Sequence, residues 1–258
     1  MVRIPNVFTV VADVGAAYLL VARGPEPLPA LIMVVIAAVC LYWAGMVLND
    51  VFDVERDRSE RPKRPIPSGH ISIGQATKAG WILLAMGVVL GGVVGFAFGD
   101  GSGRPWLPLL VAVALAARVV AYDGPLKRTP LAPVAMGACR VLSFLLGAAA
   151  ALSLRPEPAL FPREVIGIAC GFGVYMMGVT TMARREATGG RTANLFVGWL
   201  VSLVGIVMLA FAPHLADPPT GFHVRADAFA MLVVLVASPS VLRGLRAIIE
   251  PTPMKIQM

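Results

Sequence analysis

The apolar residues of this chain fall into eight long blocks separated by short polar or charged segments. The blocks are Val7–Ala22, Leu28–Leu48, Ala79–Phe98, Trp106–Ala121, Leu131–Leu154, Val165–Ala183, Leu195–Ala212 and Ala226–Leu242. Each approaches the roughly 20 residues that an α-helix needs to cross a hydrocarbon core of about 30 Å. The pattern predicts an all-α, polytopic transmembrane helical bundle with eight spans in this chain, and a single transmembrane domain over residues 1–258.

The composition is typical of an integral membrane protein. Hydrophobic residues make up 57% and charged residues 14% of the 258 residues, against about 45–50% and about 25% in soluble domains. These values exclude a water-soluble globule, a disordered chain and an ordinary nucleic-acid-binding domain. The three cysteines, Cys40, Cys139 and Cys170, lie inside apolar blocks without a CxxC spacing, so we interpret them as packing residues.

The basic residues predict the orientation of the bundle. When the loops are assigned alternately to two faces, sixteen of the 22 Lys and Arg residues fall on one face and five on the other, with Arg140 inside a span. The positive-inside rule then places the N-terminus in the cytoplasm, together with the loops after spans two, four, six and eight. We expect a multi-pass integral membrane protein, of a bacterial-type plasma membrane, without a cleaved signal peptide.

The C-terminal end resembles the start of a further helix. A segment punctuated by Pro251 and Pro253 leads into the final residues MKIQM, which read as a first helical turn. This pattern predicts a ninth span in a longer, complete chain. The alternative is a short frayed cytoplasmic tail.

The loop after the second block has the most unusual chemistry. Its residues from Asp50 to Arg64 include five acids and five bases, directly after a span with no charge. If the second span continues as a helix, its spacing places four oxygen-bearing side chains on one face, namely Asn49, Asp50, Asp53 and Asp57. Neighbouring carboxylates repel one another, and a hard divalent cation such as Mg²⁺ is the usual remedy.

A basic, proline-rich segment follows these acids. Residues 61–69 read RPKRPIPSG, in which Arg61, Lys63 and Arg64 can neutralise a phosphate group. The order of acids followed by bases favours a diphosphate site. The alternative is a solvated loop whose acids and bases pair with one another in water.

These residues resemble the first aspartate-rich motif of the UbiA superfamily of intramembrane prenyltransferases. The resemblance rests on residues 49–57, NDVFDVERD, and on the RPKRPIPSG segment that follows. Two shorter segments, RIPN at residues 3–6 and YDGPLK at residues 122–127, are similar to further positions of the family. The resemblance therefore extends through most of the chain.

The resemblance implies nine transmembrane helices around a central cavity, with two aspartate-rich motifs that face each other and bind an isoprenyl diphosphate through Mg²⁺. It implies that Asn49, Asp50, Asp53 and Asp57 are metal ligands. It also implies that Lys127 contacts the diphosphate and that Tyr122 lines the cavity. We expect Asp50, Asp53, Asp57 and Lys127 to form the catalytic group, with Asn49 and Arg64 binding substrate beside them.

The second motif departs from the family pattern. Residues 180–192 read TTMARREATGGRT, where the family has a DxxxD-like pair. Glu186 takes the place of the second carboxylate and is the metal and substrate ligand expected here, whereas Met182 stands at the place of the first. Arg184 and Arg185, with Arg191, could neutralise the diphosphate directly.

Two further polar residues lie within apolar blocks. A charge inside a span costs at least about 2.5–3.5 kcal/mol, so Arg140 is expected to face a cavity or a partner. It could bind substrate near the diphosphate or acceptor, or pair with Asp13. Asn6 could hydrogen-bond substrate in the same cavity, or cap a helix.

Together these features predict a prenyltransferase that moves a prenyl group from an isoprenyl diphosphate to a hydrophobic or aromatic acceptor within the membrane, with Mg²⁺ as cofactor and no nucleic-acid partner. The altered second motif leaves open a transporter-like or non-catalytic membrane protein on the same scaffold. A lipid-linked phosphotransferase is disfavoured, because Pro125 and Leu126 follow Asp123 and Gly124 where that family has Ala-Arg and spaced aspartates.

Overall fold

The computed structural model describes residues 4–99, 103–127, 129–155, 159–186, 192–216 and 225–249. Within these ranges the chain is helical and has no strand. The helices are α1 (Ile4–Ala22), α2 (Leu28–Phe52), α3 (Val54–Glu60), α4 (Ile73–Phe98), α5 (Leu107–Ala121), α6 (Ala132–Leu152), α7 (Arg163–Glu186), α8 (Thr192–Phe211) and α9 (Ala226–Ile249). The predicted all-α membrane fold is confirmed, and each apolar block overlaps one helix, with the largest differences at the start of α4, six residues earlier than predicted, and the end of α9, seven residues later.

Seven of the described helices are long and apolar enough to cross a membrane. The eighth, α1, has a shorter apolar part, Val7–Ala22. The predicted ninth span begins in residues 250–258, which lie outside the described residues.

The chain divides into two compact units. The first contains Met1–Pro130 and Leu142–Phe161, and the second contains Leu131–Val141 and Pro162–Met258. Helix α6 contributes to both units, α1 to α5 belong to the first, and α7 to α9 belong to the second.

In the first unit, small residues let α4 approach its neighbours closely. A Cβ atom at Gly87 would lie 2.9 Å from the carbonyl oxygen of Ala37 on α2. A Cβ atom at Gly91 would lie 2.8 Å from the Cβ of Ala112 on α5. Since lipid is as apolar as the side chains, such backbone proximity replaces the hydrophobic effect as the source of helix association.

The loop between α3 and α4 is anchored by one apolar side chain. Ile66 is 7% exposed and packs in a cluster with Val47 of α2, Val54 of α3 and Ala76 of α4. The loop is therefore held against the helix ends just after its basic residues Arg61, Lys63 and Arg64.

Local hydrogen bonds define the end of this loop. The hydroxyl of Ser72 accepts a hydrogen bond from the N–H of Gln75, and the Gln75 side chain accepts one from the N–H of Ser72. This capping box satisfies two donors at the start of α4. Just before it, Gly69 has φ +81°, a conformation that glycine adopts without strain.

In the second unit, α7 and α8 are in backbone contact. A Cβ atom at Gly178 of α7 would lie 2.5 Å from the carbonyl oxygen of Gly198 on α8. Two helical turns away, a Cβ atom at Gly205 would lie 2.8 Å from the carbonyl oxygen of Gly171. Glycines seven residues apart on each helix thus form one continuous contact line.

Helix α9 is joined to α8 by a tryptophan. The indole N–H of Trp199 donates a hydrogen bond to the carbonyl of Val241 at 3.0 Å. A Cβ atom at Gly244 would lie 2.6 Å from Cδ1 of this ring, so the glycine makes room for it. Pro239 lies inside α9 and cannot donate to the carbonyl of Leu235, which instead accepts a hydrogen bond from the Ser238 hydroxyl at 2.8 Å.

The glycine contact line predicts that Gly205→Ala destabilises the protein, because the new methyl group would meet backbone atoms that cannot rotate away. Overpacking of this kind costs about 1–3 kcal/mol. Thermal unfolding in detergent should show a lower midpoint. The matched control is Gly15→Ala in α1, where a Cβ would meet nothing within 4 Å and the midpoint should stay the same or rise. Equal shifts in the two variants would contradict the contact line.

The anchoring role of Ile66 predicts that the same substitution destabilises the protein more at this position than at an exposed isoleucine. Ile66→Ala should lower the free energy of unfolding by about 2–5 kcal/mol, because it leaves a cavity between α2, α3 and α4. Ile82→Ala, the same change at a position 65% exposed on α4, should have a much smaller effect. Unfolding midpoints of both variants in the same detergent check this, and a loss at Ile82 as large as that at Ile66 would refute it.

Candidate functional site

The acidic residues singled out in the sequence lie where α2 meets α3. Asn49 and Asp50 occupy the last turn of α2, Asp53 stands between the two helices, and Asp57 lies in α3. The helix is not continuous, because α2 ends at Phe52 and Asp53 has φ −91° and ψ 2°. The N–H of Asp53 still bonds the carbonyl of Asn49 at 3.0 Å, and that of Asp57 bonds the carbonyl of Asp53 at 2.8 Å. These bonds continue the helical spacing across the break.

Arg64 bridges two of the carboxylates. One of its terminal nitrogens, Nη1, lies 2.5 Å from Oδ2 of Asp57 and 3.2 Å from Oδ1 of Asp50. The Asp57 side chain is only 5% exposed, so its charge depends on this partner for compensation. Ile66 positions Arg64 for this contact by anchoring the loop that carries it.

Lys127 bridges the other two residues from a distant part of the chain. Its ammonium group donates to Oδ1 of Asn49 at 2.6 Å and to the carboxylate of Asp53. Lys127 follows a single π-helical turn, Tyr122–Leu126, and its N–H bonds the carbonyl of Tyr122, five residues earlier, at 2.9 Å. The structure thus brings Tyr122 and Lys127, which were predicted from the sequence, to the end of the helix that carries the acids.

Asp123 is a residue of this region that the sequence interpretation did not assign to the site. It is buried, and a Cβ atom at Gly45 would lie 3.8 Å from its Oδ2. Gly45 lies one helical turn before Asn49, so Asp123 faces the same side of α2 as the acidic residues. Its position between Tyr122 and Lys127 was the available signal, because a carboxylate that ends an apolar block seldom lacks a role.

The remaining charges of α3 form pairs on its exposed surface. Arg56 lies 2.8 Å from Glu60 and Arg58 lies 2.7 Å from Glu55. The hydrogen bond to Glu60, together with the charge of that carboxylate, raises the pKa of Arg56 above its ordinary value. The solvated self-neutralising loop therefore describes these four residues, whereas the buried acids pair with Arg64 and Lys127.

The donor set is suited to Mg²⁺, although no preformed acidic triad is present. Within the described ranges, no group of three or more His, Cys, Asp or Glu side chains could hold a metal ion. Instead, one oxygen each of Asp50 and Asp57 contacts Nη1 of Arg64. One oxygen each of Asn49 and Asp53 contacts the ammonium group of Lys127. Each of these nitrogens thus lies where a metal ion could bind the same pair of oxygens. Mg²⁺ commonly takes one or two protein oxygens and completes its shell with phosphate and water, which matches each pair.

The other predicted site residues are placed only by their helices. Asn6 is in α1, Arg140 is in the part of α6 that belongs to the second unit, and Arg184, Arg185 and Glu186 end α7. The side chains of Asn6 and of residues 184–186 lie outside the described part of the chain, as does Arg191. Their roles as substrate ligands, and that of Glu186 as a metal ligand, stay predictions.

Two solved structures resemble this chain over nearly its full length. One, a digeranylgeranylglyceryl phosphate synthase in membranes, has a TM-score of 0.69 at 19% sequence identity, covering 97% of this chain and 86% of that one. The other, an apo UbiA homologue from Aeropyrum pernix K1, has a TM-score of 0.68 at 18% identity, covering 96% and 93%. At this identity the likeness concerns the fold.

Curated relatives are similar in sequence over parts of their length. A digeranylgeranylglyceryl phosphate synthase of Metallosphaera sedula is 33% identical over 129 residues, which cover 50% of this chain and 42% of that protein. A synthase of the same name from Methanothermobacter thermautotrophicus is 29% identical over 220 residues, covering 78% and 70%. The chain thus spans less than half of the Metallosphaera relative and about two thirds of the Methanothermobacter one.

The family model described as the UbiA prenyltransferase family matches residues 8–256, which cover nearly all of both compact units. These residues include the acidic junction, a name used here for the cluster of Asn49, Asp50, Asp53 and Asp57 with Arg64 and Lys127. The apolar helices, the acidic junction and this match agree, and the chain belongs to the UbiA prenyltransferase family.

Proposed function

We propose that this protein transfers a prenyl group from an isoprenyl diphosphate to a hydrophobic acceptor within the membrane, with Mg²⁺ as cofactor. The observation that carries the proposal is the arrangement of Asn49, Asp50, Asp53 and Asp57 around Arg64 and Lys127 at the polar end of apolar helices. A cluster of oxygen ligands and cations suits a diphosphate, and the adjoining apolar helices suit a prenyl chain. Membership of the family supports the same reaction class.

Arg64 and Lys127 would bind the departing diphosphate. When the bond between the prenyl carbon and the diphosphate oxygen breaks, the electron pair leaves with the diphosphate, whose oxygens gain negative charge. Cationic donors that already contact the bound diphosphate when this bond breaks stabilise such charge without further reorganisation. A Mg²⁺ ion held by the oxygen pairs of the acidic junction would neutralise further charge on the leaving group.

The apolar helices would protect the reacting prenyl carbon from water. An allylic cation is captured by any nucleophile nearby, so water must be excluded until the acceptor attacks. The acceptor then forms a bond to the prenyl carbon and loses a proton. The helices beside the acidic junction, α2, α4 and α5, are apolar along most of their length and would provide the dry wall.

For the acceptor, we propose a glyceryl phosphate lipid, with an aromatic compound as the alternative. Several relatives are called digeranylgeranylglyceryl phosphate synthases, a name that gives a product with two prenyl groups on glyceryl phosphate. The basic face of the protein would place this chemistry at the cytoplasmic side of the membrane.

Removing a single carboxylate should abolish most of the activity. Asp53→Asn and Asp57→Asn are expected to lower the rate of diphosphate release by about 100-fold or more, because each removes a charged oxygen that would hold the Mg²⁺ ion beside the leaving group. The control is Glu55→Gln, whose side chain is 78% exposed and should retain nearly the wild-type rate. Release is measured with purified protein, geranylgeranyl diphosphate and acceptor in Mg²⁺ buffer. If wild-type protein releases no diphosphate with donors of any chain length, the transferase proposal fails in favour of a non-catalytic scaffold.

Competition between acceptors should distinguish the two acceptor classes. In nanodiscs supplied with geranylgeranyl diphosphate, geranylgeranylglyceryl phosphate should be prenylated at least about tenfold faster than an aromatic acid, because a site built for one polar group rejects a molecule that lacks it. Mass spectrometry of the extracted lipids identifies the product. Prenylation of the aromatic acid at the same or a higher rate would reverse the assignment while leaving the transferase proposal intact.

A further inference from the structure

The two basic residues of the acidic junction occupy positions that a metal ion would need. Arg64 takes one oxygen each from Asp50 and Asp57, and Lys127 takes one each from Asn49 and Asp53. All four predicted metal ligands are therefore already bound to a cation that belongs to the protein. A metal ion arriving alone has to displace a tethered competitor.

The positive charges of Arg64 and Lys127 oppose the binding of a metal ion that arrives without a diphosphate. Asp50, Asp53 and Asp57 supply three carboxylates against the two positive charges of Arg64 and Lys127, and Asp123 is a further carboxyl group close to them. These carboxylates are largely buried and the two basic side chains are about three quarters buried, with 23% and 26% exposure. Repulsion between a divalent cation and two fixed cations within a few ångströms is therefore only partly screened by solvent.

The diphosphate removes this obstacle, because it offers new oxygens to the same two cations. Arg64 and Lys127 have long, flexible side chains that can turn from a carboxylate to a phosphate without moving their backbones. The Arg64 backbone is held by hydrogen bonds to Arg61 and Ser68, and that of Lys127 by its bond to Tyr122. The exchange thus requires only rotation of the two side chains.

We propose, resting on the proposed function, that Arg64 and Lys127 are built-in counter-ions that hold the metal ligands in the empty protein and release them when a diphosphate arrives. Metal and diphosphate then bind as a unit, and the metal alone binds weakly. The two residues oppose binding of the metal by itself and support binding of the metal with its diphosphate.

The test uses full-length protein in detergent and Mn²⁺ as a spectroscopic substitute for Mg²⁺. Electron paramagnetic resonance measures bound Mn²⁺ in titrations with Mn²⁺ alone and with Mn²⁺ plus inorganic pyrophosphate, after subtraction of the signal from a protein-free Mn²⁺–pyrophosphate mixture. The variants are Arg64→Gln and Lys127→Met. The control is Arg58→Gln, which removes a base that pairs with Glu55 on the exposed surface of α3.

The two titrations should move in opposite directions. Arg64→Gln and Lys127→Met are expected to bind Mn²⁺ alone at least about fivefold more tightly than wild type, because each loses a positive charge next to the ligands. With pyrophosphate they should bind Mn²⁺ more weakly, since a phosphate partner is missing. Arg58→Gln should match wild type in both titrations. Adding Asp57→Asn to Arg64→Gln should abolish the gain with Mn²⁺ alone, which locates the new metal contact.

Other results overturn the counter-ion proposal. If both variants bind Mn²⁺ alone with unchanged or weaker affinity, the two bases are not competitors of the metal. If wild type binds Mn²⁺ equally well with and without pyrophosphate, the coupling is absent. A purely structural role would weaken both titrations together. Size-exclusion profiles identify variants that do not fold. If only one of the two variants folds, its titrations still test the proposal for the pair of oxygen ligands that this residue binds.

Failure of the proposed function has a separate signature. It appears as wild-type protein that transfers no prenyl group to any acceptor, whatever the Mn²⁺ titrations show. If the variants bind Mn²⁺ more tightly without pyrophosphate and more weakly with it, but wild-type protein transfers no prenyl group, the counter-ion proposal is supported and the transferase proposal is rejected.

Discussion

Compensation of buried negative charge at the end of a membrane helix is the constraint on which the described site depends. Three carboxylates follow one another at helical spacing where α2 leaves the apolar region. Without partners, carboxylates buried in such a setting would cost several kcal/mol each or take up protons. The partners come from two directions, Arg64 from the loop that follows and Lys127 from the end of α5. The loop anchored by Ile66 and the turn after α5 both serve to deliver these two cations.

Elsewhere, glycine residues allow neighbouring helices to pack closely. Glycines on α4 face α2 and α5 in the first unit, and glycines on α7 and α8 face each other in the second. Close approach of the backbones creates many weak van der Waals contacts between the helices. These contacts are needed because the hydrophobic effect does not drive helices together in lipid. In the first unit, the glycine contacts of α4 with α2 and α5 thus support the helix that carries the polar residues.

Much of this could be predicted from the sequence, because it depends on local patterns. Apolar blocks of the right length gave eight helices close to their observed bounds, and the spacing of Asn49, Asp53 and Asp57 indicated a shared face. The sequence did not predict which of the loop charges form buried ion pairs and which form exposed ones. This division depends on which bases reach which acids, and Lys127 lies 74 residues from Asp53 along the chain.

The break at Asp53 and the burial of Asp123 were also missed, for a related reason. A hydropathy pattern has the resolution of a helical turn, whereas a single residue with φ −91° and ψ 2° ends α2 without altering that pattern. The sequence places Asp123 between Tyr122 and Lys127, but its position beside Gly45 on another helix is visible only in the structure.

The π-helical turn before Lys127 makes the direction of this side chain depend on the length of the segment. One residue more per turn rotates everything after it by about 100° about the helix axis. Tyr122 and Lys127 are bonded across that wider turn, so the direction of the lysine depends on the number of residues between them. A deletion within Tyr122–Leu126 would preserve every side chain of the acidic junction and still turn the ammonium group away from it. The number of residues in this segment therefore matters more for the direction of Lys127 than the identities of most of its side chains.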